Sequence, residues 1–479
     1  MKENPYKQNR EEIKDLLLQY NNFKSGKKFN FIEEESFERL IDYFDETDDL
    51  AAALEAVNYA VEQFPYSSTL LIKKADLLIA TRRYREALSI LSKAELLDSN
   101  DINLFILKTD AHLALDNQEK AAALLEEAIH IFEGEEKVEL LFELADVYDD
   151  YEEFDKVFNC LKLILEQDPT NEEALYKICF WTDYTGRNEE SIKLHKKIID
   201  EYPYSQLAWF NLGAAFQGLK LYEKSIDAYQ YAIAIDEKFD YAYRNLGDAY
   251  LRLHKYREAI EVLQKVLELT MPEEVIYEAL GHCYEKLKNY AQARFHYRKA
   301  SHLNSTEGNL YYKIAGTYMS EGYWDSAIKN LENAMRINKS QPDYHFALAK
   351  CYVQLDRIKD AAIHFSHFIK SRPKNAKGWK ELIKCLYEAA YYEEALEQIY
   401  NAQKNTTQKP IFIYYKSAAL FALGKSKEGL LQLELAMQKA PGLVKQFVEL
   451  DPSLLQFQAI AGLIASYKKM PSGRKSKHK

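Results

Sequence analysis

Residues 208–233 read AWFNLGAAFQGLKLYEKSIDAYQYAI, and residues 242–267 read AYRNLGDAYLRLHKYREAIEVLQKVL. The two stretches align without a gap, and they place Gly213 and Gly247 34 positions apart. A loop that cradles a phosphate needs closely spaced glycines next to a strand, and neither stretch has the pattern of a strand. The similarity therefore indicates a structural repeat and not a ligand loop.

The 34-residue period extends in both directions from Trp209. On the N-terminal side, where there is one two-residue insertion, the same phase is occupied by Phe37, Leu71, Phe105, Leu141 and Leu175. On the C-terminal side it is occupied by Tyr243, Tyr277, Tyr311, His345, Trp379 and Ile413. This register predicts twelve repeats that begin at residues 34, 68, 102, 138, 172, 206, 240, 274, 308, 342, 376 and 410. Small residues recur at the eighth and twentieth positions of the repeats, where two helices would cross closely.

Prolines support this division, because they are excluded from helix interiors and tolerated at joints. Eight of the eleven prolines fall between the thirty-second position of one repeat and the first of the next. Glycine is also scarce, with 16 residues in 479. The composition therefore favours a chain of long helices joined by short turns.

The repeats resemble the tetratricopeptide repeat, whose pattern is matched by WFNLGAAF…SIDAYQYA and by YRNLGDAY…AIEVLQKV. The resemblance extends from residue 34 to about residue 443 and is weakest where Ile41, Thr109 and Val157 replace the usual small residue. It implies an all-α fold: an α-solenoid in which helical hairpins stack into a right-handed superhelix. Each hairpin would bury its apolar face only against its neighbours.

Segments outside the repeats are predicted to cap the two ends. Residues 1–33 contain an amphipathic stretch at 8–21 that predicts a capping helix. Residues 444–469 predict two further capping helices, separated by a break at Asp451 and Pro452, with Ser453 as the N-cap of the second. Residues 470–479 are basic and predict a flexible tail.

Charge and composition limit the function classes. A net charge of −11 disfavours nucleic acid as the main partner, because affinity for phosphates comes from concentrated lysine and arginine. The sequence has neither the apolar run of a membrane-inserting helix nor the start of a secretory protein, which predicts a cytoplasmic location. Among the five cysteines, Cys283, Cys351 and Cys385 share the tenth position of their repeats, where a small buried residue is expected.

No motif for catalysis is present, and no segment outside the repeats is long enough for a separate catalytic domain. We therefore expect a protein that is not an enzyme and needs no cofactor. His364 and His367 are three residues apart on one predicted helix, but the local pattern offers no third ligand. A metal site is not predicted.

The family resemblance implies an inner groove lined by the first helix of each repeat. The candidate groove residues are Phe142, Asp146, Tyr176, Phe180, Phe210, Asn211, Tyr241, Arg244, Asn245, Tyr312, Phe346, Lys350, Lys377, Lys380 and Lys384. Aromatics would lie along the middle, carboxylates towards the N-terminal half and ammonium groups towards the C-terminal repeats. Asn211 and Asn245 resemble the asparagines that grip a peptide backbone in some long arrays of this family.

These features predict a non-catalytic scaffold or adaptor that binds a protein or peptide segment in its concave groove. Two alternatives stay open. The chain is a structural or regulatory subunit that docks through its convex surface in a larger complex, or it is the accessory subunit of an enzyme supplied by another chain. The sequence indicates neither the identity of the partner nor whether the chain self-associates.

Overall fold

The computed structural model of the chain describes residues 5–25, 31–407 and 409–469. Their α-helices are α1 (Pro5–Lys24), α2 (Glu34–Glu46), α3 (Leu50–Gln63), α4 (Ser68–Ala80), α5 (Tyr84–Glu95), α6 (Ile102–Leu113), α7 (Gln118–Ala128), α8 (Gly134–Asp150), α9 (Phe154–Gln167), α10 (Glu172–Thr185), α11 (Asn188–Glu201), α12 (Gln206–Gly218), α13 (Tyr222–Ile235), α14 (Asp240–Arg252), α15 (Tyr256–Leu269), α16 (Glu274–Lys286), α17 (Tyr290–Leu303), α18 (Gly308–Glu321), α19 (Trp324–Ile337), α20 (Pro342–Gln354), α21 (Ile358–Ser371), α22 (Ala376–Glu388), α23 (Tyr392–Asn405), α24 (Ile411–Ala422), α25 (Ser426–Lys439), α26 (Val444–Leu450) and α27 (Gln458–Lys469). Two 3₁₀ turns, Pro441–Leu443 and Pro452–Gln456, complete the secondary structure. The described part of the chain contains no strand, which confirms the prediction of an all-α fold.

The chain forms two compact bodies, an N-terminal body of Met1–Ala249 and a C-terminal body of Tyr250–Lys479. Within each body, consecutive helices pair. Even-numbered helices such as α12 and α16 pack against the odd-numbered helix that follows, and odd-numbered helices such as α11 and α17 pack against the next even one. We call the even-numbered helices from α2 to α24 the A helices, and the odd-numbered helices from α3 to α25 the B helices. The division of the chain into twelve repeats remains a prediction.

Each turn from an A helix to its B helix contains one residue with a left-handed backbone. Three of these residues are glycines, Gly186, Gly322 and Gly424, and nine are exposed residues of other types: Asp48, Arg82, Asp116, Glu152, Lys220, His254, Lys288, Asp356 and Ala390. In eleven of these turns the amide that follows donates to a carbonyl five residues earlier, as Arg83 does to Leu78 at 2.7 Å. This bond ends the A helix and satisfies one of its last carbonyls.

Glycine in the A helices has a packing role where it faces a tyrosine of the B helix. A Cβ atom on Gly213 would lie 2.6 Å from the ring of Tyr229, and one on Gly281 would lie 2.5 Å from the ring of Tyr297. Both tyrosine side chains are fully buried. Their hydroxyls donate back to the A helix, to Gln217 at 3.0 Å and to Glu285 at 2.7 Å. The absence of a side chain thus lets a whole aromatic ring lie between two helices.

The first helix, α1, packs against α2 and buries Tyr20 among the side chains of α2 and α3. At the other end, α26 packs against α24 and buries Phe447 completely. The prediction that Ser453 is the N-cap of a second helix is wrong. Asp451 caps instead, because its carboxylate accepts from the amide and the hydroxyl of Ser453 and starts the turn Pro452–Gln456. The predicted basic tail, residues 470–479, lies outside the described residues.

Cys283, Cys351 and Cys385 are buried and form no disulfide. Burial raises the pKa of the Cys283 and Cys351 thiols to about 12 and that of Cys385 to about 11. These thiols are therefore uncharged packing groups at neutral pH. Within the described residues, no helix has both the length and the apolar character needed to cross a bilayer.

Candidate binding pockets on the A helices

An aromatic pocket lies in the N-terminal body, on α10 and α12 and the start of α14. Its volume is about 470 Å³. The side chains that define this aromatic pocket are Tyr176, Phe180, Phe210, Phe239 and Tyr241. Tyr176, Phe180 and Tyr241 are more than half exposed. Four of the five were candidate groove residues, and the structure brings them together.

Ring contacts order the walls of the aromatic pocket. The ring of Phe210 lies 5.1 Å from that of Phe239, which lies 6.3 Å from Tyr241. The neighbouring hydroxyl of Tyr176 raises the pKa of Tyr241. Phe180 rests edge-on against Trp181 at 4.9 Å. Such contacts restrict the ring conformations before a partner binds, so that binding costs less side-chain conformational entropy.

Asn211 also lines the aromatic pocket, but its side chain is buried and its amide is hydrogen-bonded within the protein. Its nitrogen donates to the carbonyl of Leu175 at 2.6 Å and to Nε2 of His195 at 3.2 Å. The family resemblance implied that Asn211 binds a peptide backbone. Its amide nitrogen is not free to do so. It ties α12 to α10 and so fixes Phe210 beside Tyr176.

His195 completes this buried connection. Because Nε2 accepts from Asn211, the ring proton is on Nδ1, which donates to the carbonyl of Ser191 at 2.8 Å. Burial lowers the pKa of His195 to about 4. The ring is therefore neutral at physiological pH and bridges α11 and α12 in one fixed orientation.

This histidine predicts a loss of local stability in mild acid. The unfolded chain, with a histidine pKa of about 6.5, takes up a proton that the folded chain excludes until about pH 4. The stabilisation is therefore complete above pH 6.5 and is lost as the pH falls towards 4. We expect the opening free energy of α11 and α12 to be about 2 kcal/mol lower at pH 5 than at pH 7.5, measured by amide hydrogen exchange.

Two variants check the source of this pH dependence. His195→Gln should flatten the pH profile of exchange in α11 and α12, because it removes the titrating group. His130→Gln changes an exposed histidine of the same body and should leave the profile as it is. Equal profiles for both variants would contradict the assignment to His195.

Phe142 and Asp146, on α8, are linked to the aromatic pocket by Lys177. The Lys177 ammonium, which lines the pocket, lies 5.1 Å from the centre of the Phe142 ring and 3.9 Å from the Asp146 carboxylate. Its closer partner is Glu173, at 2.8 Å on the same helix. Phe142 itself is partly buried against the core. The charge of Lys177 is therefore already balanced by two carboxylates.

Arg244 and Asn245 lie on α14, and both have partners within the N-terminal body. Arg244 donates to Asp240 at 3.1 Å. Asn245 forms a side-chain hydrogen bond with Tyr229 of α13. Neither residue lines the aromatic pocket, although both were candidate groove residues.

A second pocket, of 790 Å³, lies in the C-terminal body on α18, α20 and α22. The side chains that define this lysine pocket are Tyr312, Lys313, Phe346, Lys350 and Lys377. The Lys350 and Lys377 ammonium groups lie 5.3 Å and 5.4 Å from the centre of the Phe346 ring, within the range of cation–π attraction. Lys313 forms an ion pair with Glu278. Four predicted groove residues thus meet here, with Lys313 added by the structure.

Lys380 and Lys384 do not line the lysine pocket, although the sequence grouped them with Lys350 and Lys377. The Lys380 ammonium donates to the side-chain carbonyl of Gln446, in α26, at 2.9 Å. Lys384 lies 3.6 Å from Glu388, one turn further along α22. The side chains of Lys380 and Lys384 therefore have partners outside the lysine pocket, in the C-terminal segment (residues 444–469) and in α22 itself.

His364 and His367 meet a third histidine, which sequence spacing alone did not reveal. Nδ1 of His345, on α20, lies 2.9 Å from Nδ1 of His364, and its ring stacks on that of His367 at 4.9 Å. Burial, with the two neighbouring histidines, lowers the pKa of His364 to about 4. No cluster of three or more His, Cys, Asp and Glu side chains in the described ranges has an arrangement that could hold a metal.

The family comparison supports the repeat class. The model of the tetratricopeptide repeat protein 21 C-terminal ARM domain matches residues 217–346, which include α13 to α19 as complete helices. Among these helices, α16 packs against α17 and α18 packs against α19. Residues 217–346 of the chain, 130 of 479, are thus similar to that repeat family. No curated protein matches it.

Several solved structures match this chain at low sequence identity. YrrB, described as a TPR protein with an unusual peptide-binding site, is 19% identical, with a TM-score of 0.35 over 38% of this chain and 95% of its own. The C-terminal part of a TPR repeat-containing protein from Cytophaga hutchinsonii is 16% identical, with a TM-score of 0.44 over 53% and 99%. The APC/C hetero-tetramer Cut9-Hcn1 contributes a chain that is 14% identical, with a TM-score of 0.35 over 86% and 94%.

Proposed function

We propose that this protein is a non-catalytic scaffold that binds an extended segment of a partner protein on its A helices. The aromatic pocket carries this proposal. Rings that are more than half exposed, at Tyr176, Phe180 and Tyr241, surround a cavity large enough for a large apolar side chain. Exposed aromatic side chains that converge on one pocket are typical of the anchor sites of protein interfaces.

The lysine pocket supplies a second candidate contact of different chemistry. Lys350 and Lys377 have no carboxylate within ion-pair distance among the described residues. Their charges lie beside Phe346, in a pocket that Glu285, Asp343 and Glu381 also line. The lysines can therefore meet a polar part of a partner segment. We therefore expect the lysine pocket to add specificity, and the aromatic pocket to contribute most of the affinity.

The proposal is tested by partner recovery with the full chain and matched variants. Tagged wild-type protein and the double variant Phe180→Ala/Tyr241→Ala are used for affinity purification from the source cells, followed by mass spectrometry. We expect the double variant to recover the main partner at least about tenfold less well, because truncating an aromatic anchor costs about 2 kcal/mol or more.

Tyr231→Ala is the matched control. Tyr231 is also an exposed aromatic residue of the N-terminal body, but it stacks on Trp209 from a B helix, at 4.4 Å. Partner recovery should survive this change. If Tyr231→Ala loses the partner and Phe180→Ala/Tyr241→Ala keeps it, docking through the B-helix surface replaces the present proposal.

A further inference from the structure

The aromatic pocket has little charge of its own. Lys177 is the one charged residue among its lining side chains, and Glu173 and Asp146 balance that charge. The other polar lining groups are uncharged: the hydroxyls of Tyr176 and Tyr241 are neighbours, and the amide nitrogen of Asn211 donates to the carbonyl of Leu175. The pocket itself therefore accepts an apolar or aromatic side chain, and the charge preference of a bound segment must come from its surroundings.

Those surroundings are acidic. A carboxylate row, defined as Asp76, Asp110, Glu143 and Asp146, occupies the A helices α4, α6 and α8 and leads to Lys177 at the aromatic pocket. Partial removal from water by the surrounding protein raises the pKa of all four carboxyls. Neighbouring carboxylates raise the pKa further: Asp45 acts on Asp76, Asp76 on Asp110, and Asp110 on Glu143. Two lysines oppose this effect, Lys73 at Asp76 and Lys177 at Glu143 and Asp146.

Asp146 is the one member of the carboxylate row with an ion-pair partner, Lys177. Asp76, Asp110 and Glu143 form no ion pair or side-chain hydrogen bond with any other residue in the described ranges, although Asp110 and Glu143 are half-buried. Lys73, which acts electrostatically on Asp76, is itself paired with Asp42. Carboxylates that repel one another without a partner are stabilised when a cation approaches them.

We propose that the aromatic pocket binds a basic segment: an apolar or aromatic side chain enters the pocket, and lysine or arginine residues next to it lie along the carboxylate row. This inference rests on the proposed scaffold function and adds the chemistry of the partner. The exposed tyrosine and phenylalanine rings also favour cations at the rim of the pocket. An acidic segment would meet like charges along the row and is disfavoured.

The test selects peptides from a random library without assuming a sequence. A phage library of peptides of about ten residues, which span about 33 Å when extended, is panned against the full chain. We expect enrichment of peptides with an aromatic residue or leucine flanked by lysine or arginine. Enrichment of acidic or uncharged peptides, or no enrichment at all, would overturn the inference.

A row variant and a matched control then locate the charge preference. The row variant is Asp76→Asn/Asp110→Asn/Glu143→Gln, and the control is Glu127→Gln/Asp200→Asn/Glu237→Gln, which removes the same charge from exposed positions. The row variant should weaken binding of a selected basic peptide about tenfold, because three carboxylates no longer attract its lysine and arginine residues. Equal affinities for the row variant and the control would also overturn the inference.

Failure of the inference and failure of the scaffold function give different results. If Phe180→Ala/Tyr241→Ala loses the cellular partner while selected peptides show no basic preference, the scaffold function stands and the basic segment is wrong. If the double variant keeps the partner, the scaffold function at this pocket is wrong. Circular dichroism of each variant checks that loss of binding does not follow from loss of the fold.

Discussion

Replacing Gly281 with leucine is expected to destabilise the protein by about 3 kcal/mol, the upper end of the cost of overpacking a core. The clash begins at the first side-chain atom, because a Cβ atom at this position would lie 2.5 Å from the ring of Tyr297. That ring is fully buried, and its hydroxyl is bonded to Glu285, so it cannot move aside without breaking the bond. Urea unfolding, with amide exchange in α16 and α17, measures the effect.

A pair of alanine variants separates packing from helix propensity. Gly281→Ala should still destabilise the protein, by about 1–3 kcal/mol, because the clash is already present at Cβ. Gly316 lies in the interior of α18, where an added Cβ would meet no atom within 4 Å. Gly316→Ala should therefore stabilise by about 0.5–1 kcal/mol. Equal signs for the two variants would contradict the packing role of Gly281.

Replacing Phe447 with alanine is expected to cost about 3–5 kcal/mol, because the ring is completely buried and its removal leaves a cavity. Phe447 belongs to the C-terminal segment, which covers α24, and its ring lies 5.9 Å from that of Tyr414. Lys380 and Tyr387 also bind this segment, through Gln446 and Asp451. The segment is therefore part of the last packing layer, and its loosening exposes α24. A lower midpoint of urea unfolding and faster exchange in α24 would show the effect.

Phe457→Ala is the control for this prediction. Phe457 belongs to the same segment but is half exposed, and its ring stacks on that of Phe421 at 6.2 Å. Its replacement should cost less than about 1 kcal/mol, because little apolar surface is lost from the core. If Phe457→Ala cost as much as Phe447→Ala, the loss of any aromatic ring from this segment, and not the burial of Phe447, would explain the lower stability.

The 34-residue register contains most of the information about the helices, because each hairpin repeats the same packing problem. Gly213 and Gly281 are spaced by two periods, and both face a tyrosine sixteen residues later in the chain. The same register held a signal that sequence reasoning missed. Gly186, Gly322 and Gly424 share one phase of the period, and all three have the left-handed backbone of the hairpin turn.

Side-chain partners were less predictable, because they depend on rotamers and on segments far apart in the chain. Lys380 appeared to belong to a basic face, yet its partner Gln446 is 66 residues away. Asn211 sits at a groove position, but a buried histidine one helix earlier accepts its hydrogen bond. Spacing locates a residue on a helix face, whereas the atoms across the interface decide whether that residue remains available.

Substitution of a left-handed turn residue is expected to change the stability of one hairpin at a time. Nine of these turn residues are not glycine, and a side chain in that conformation costs roughly 1 kcal/mol. Glycine at one such position would strengthen a single hairpin without touching the pockets or the carboxylate row. Because hairpins in a stack contribute their stabilities locally, substituting chosen turns would set which segment of the array opens first on heating.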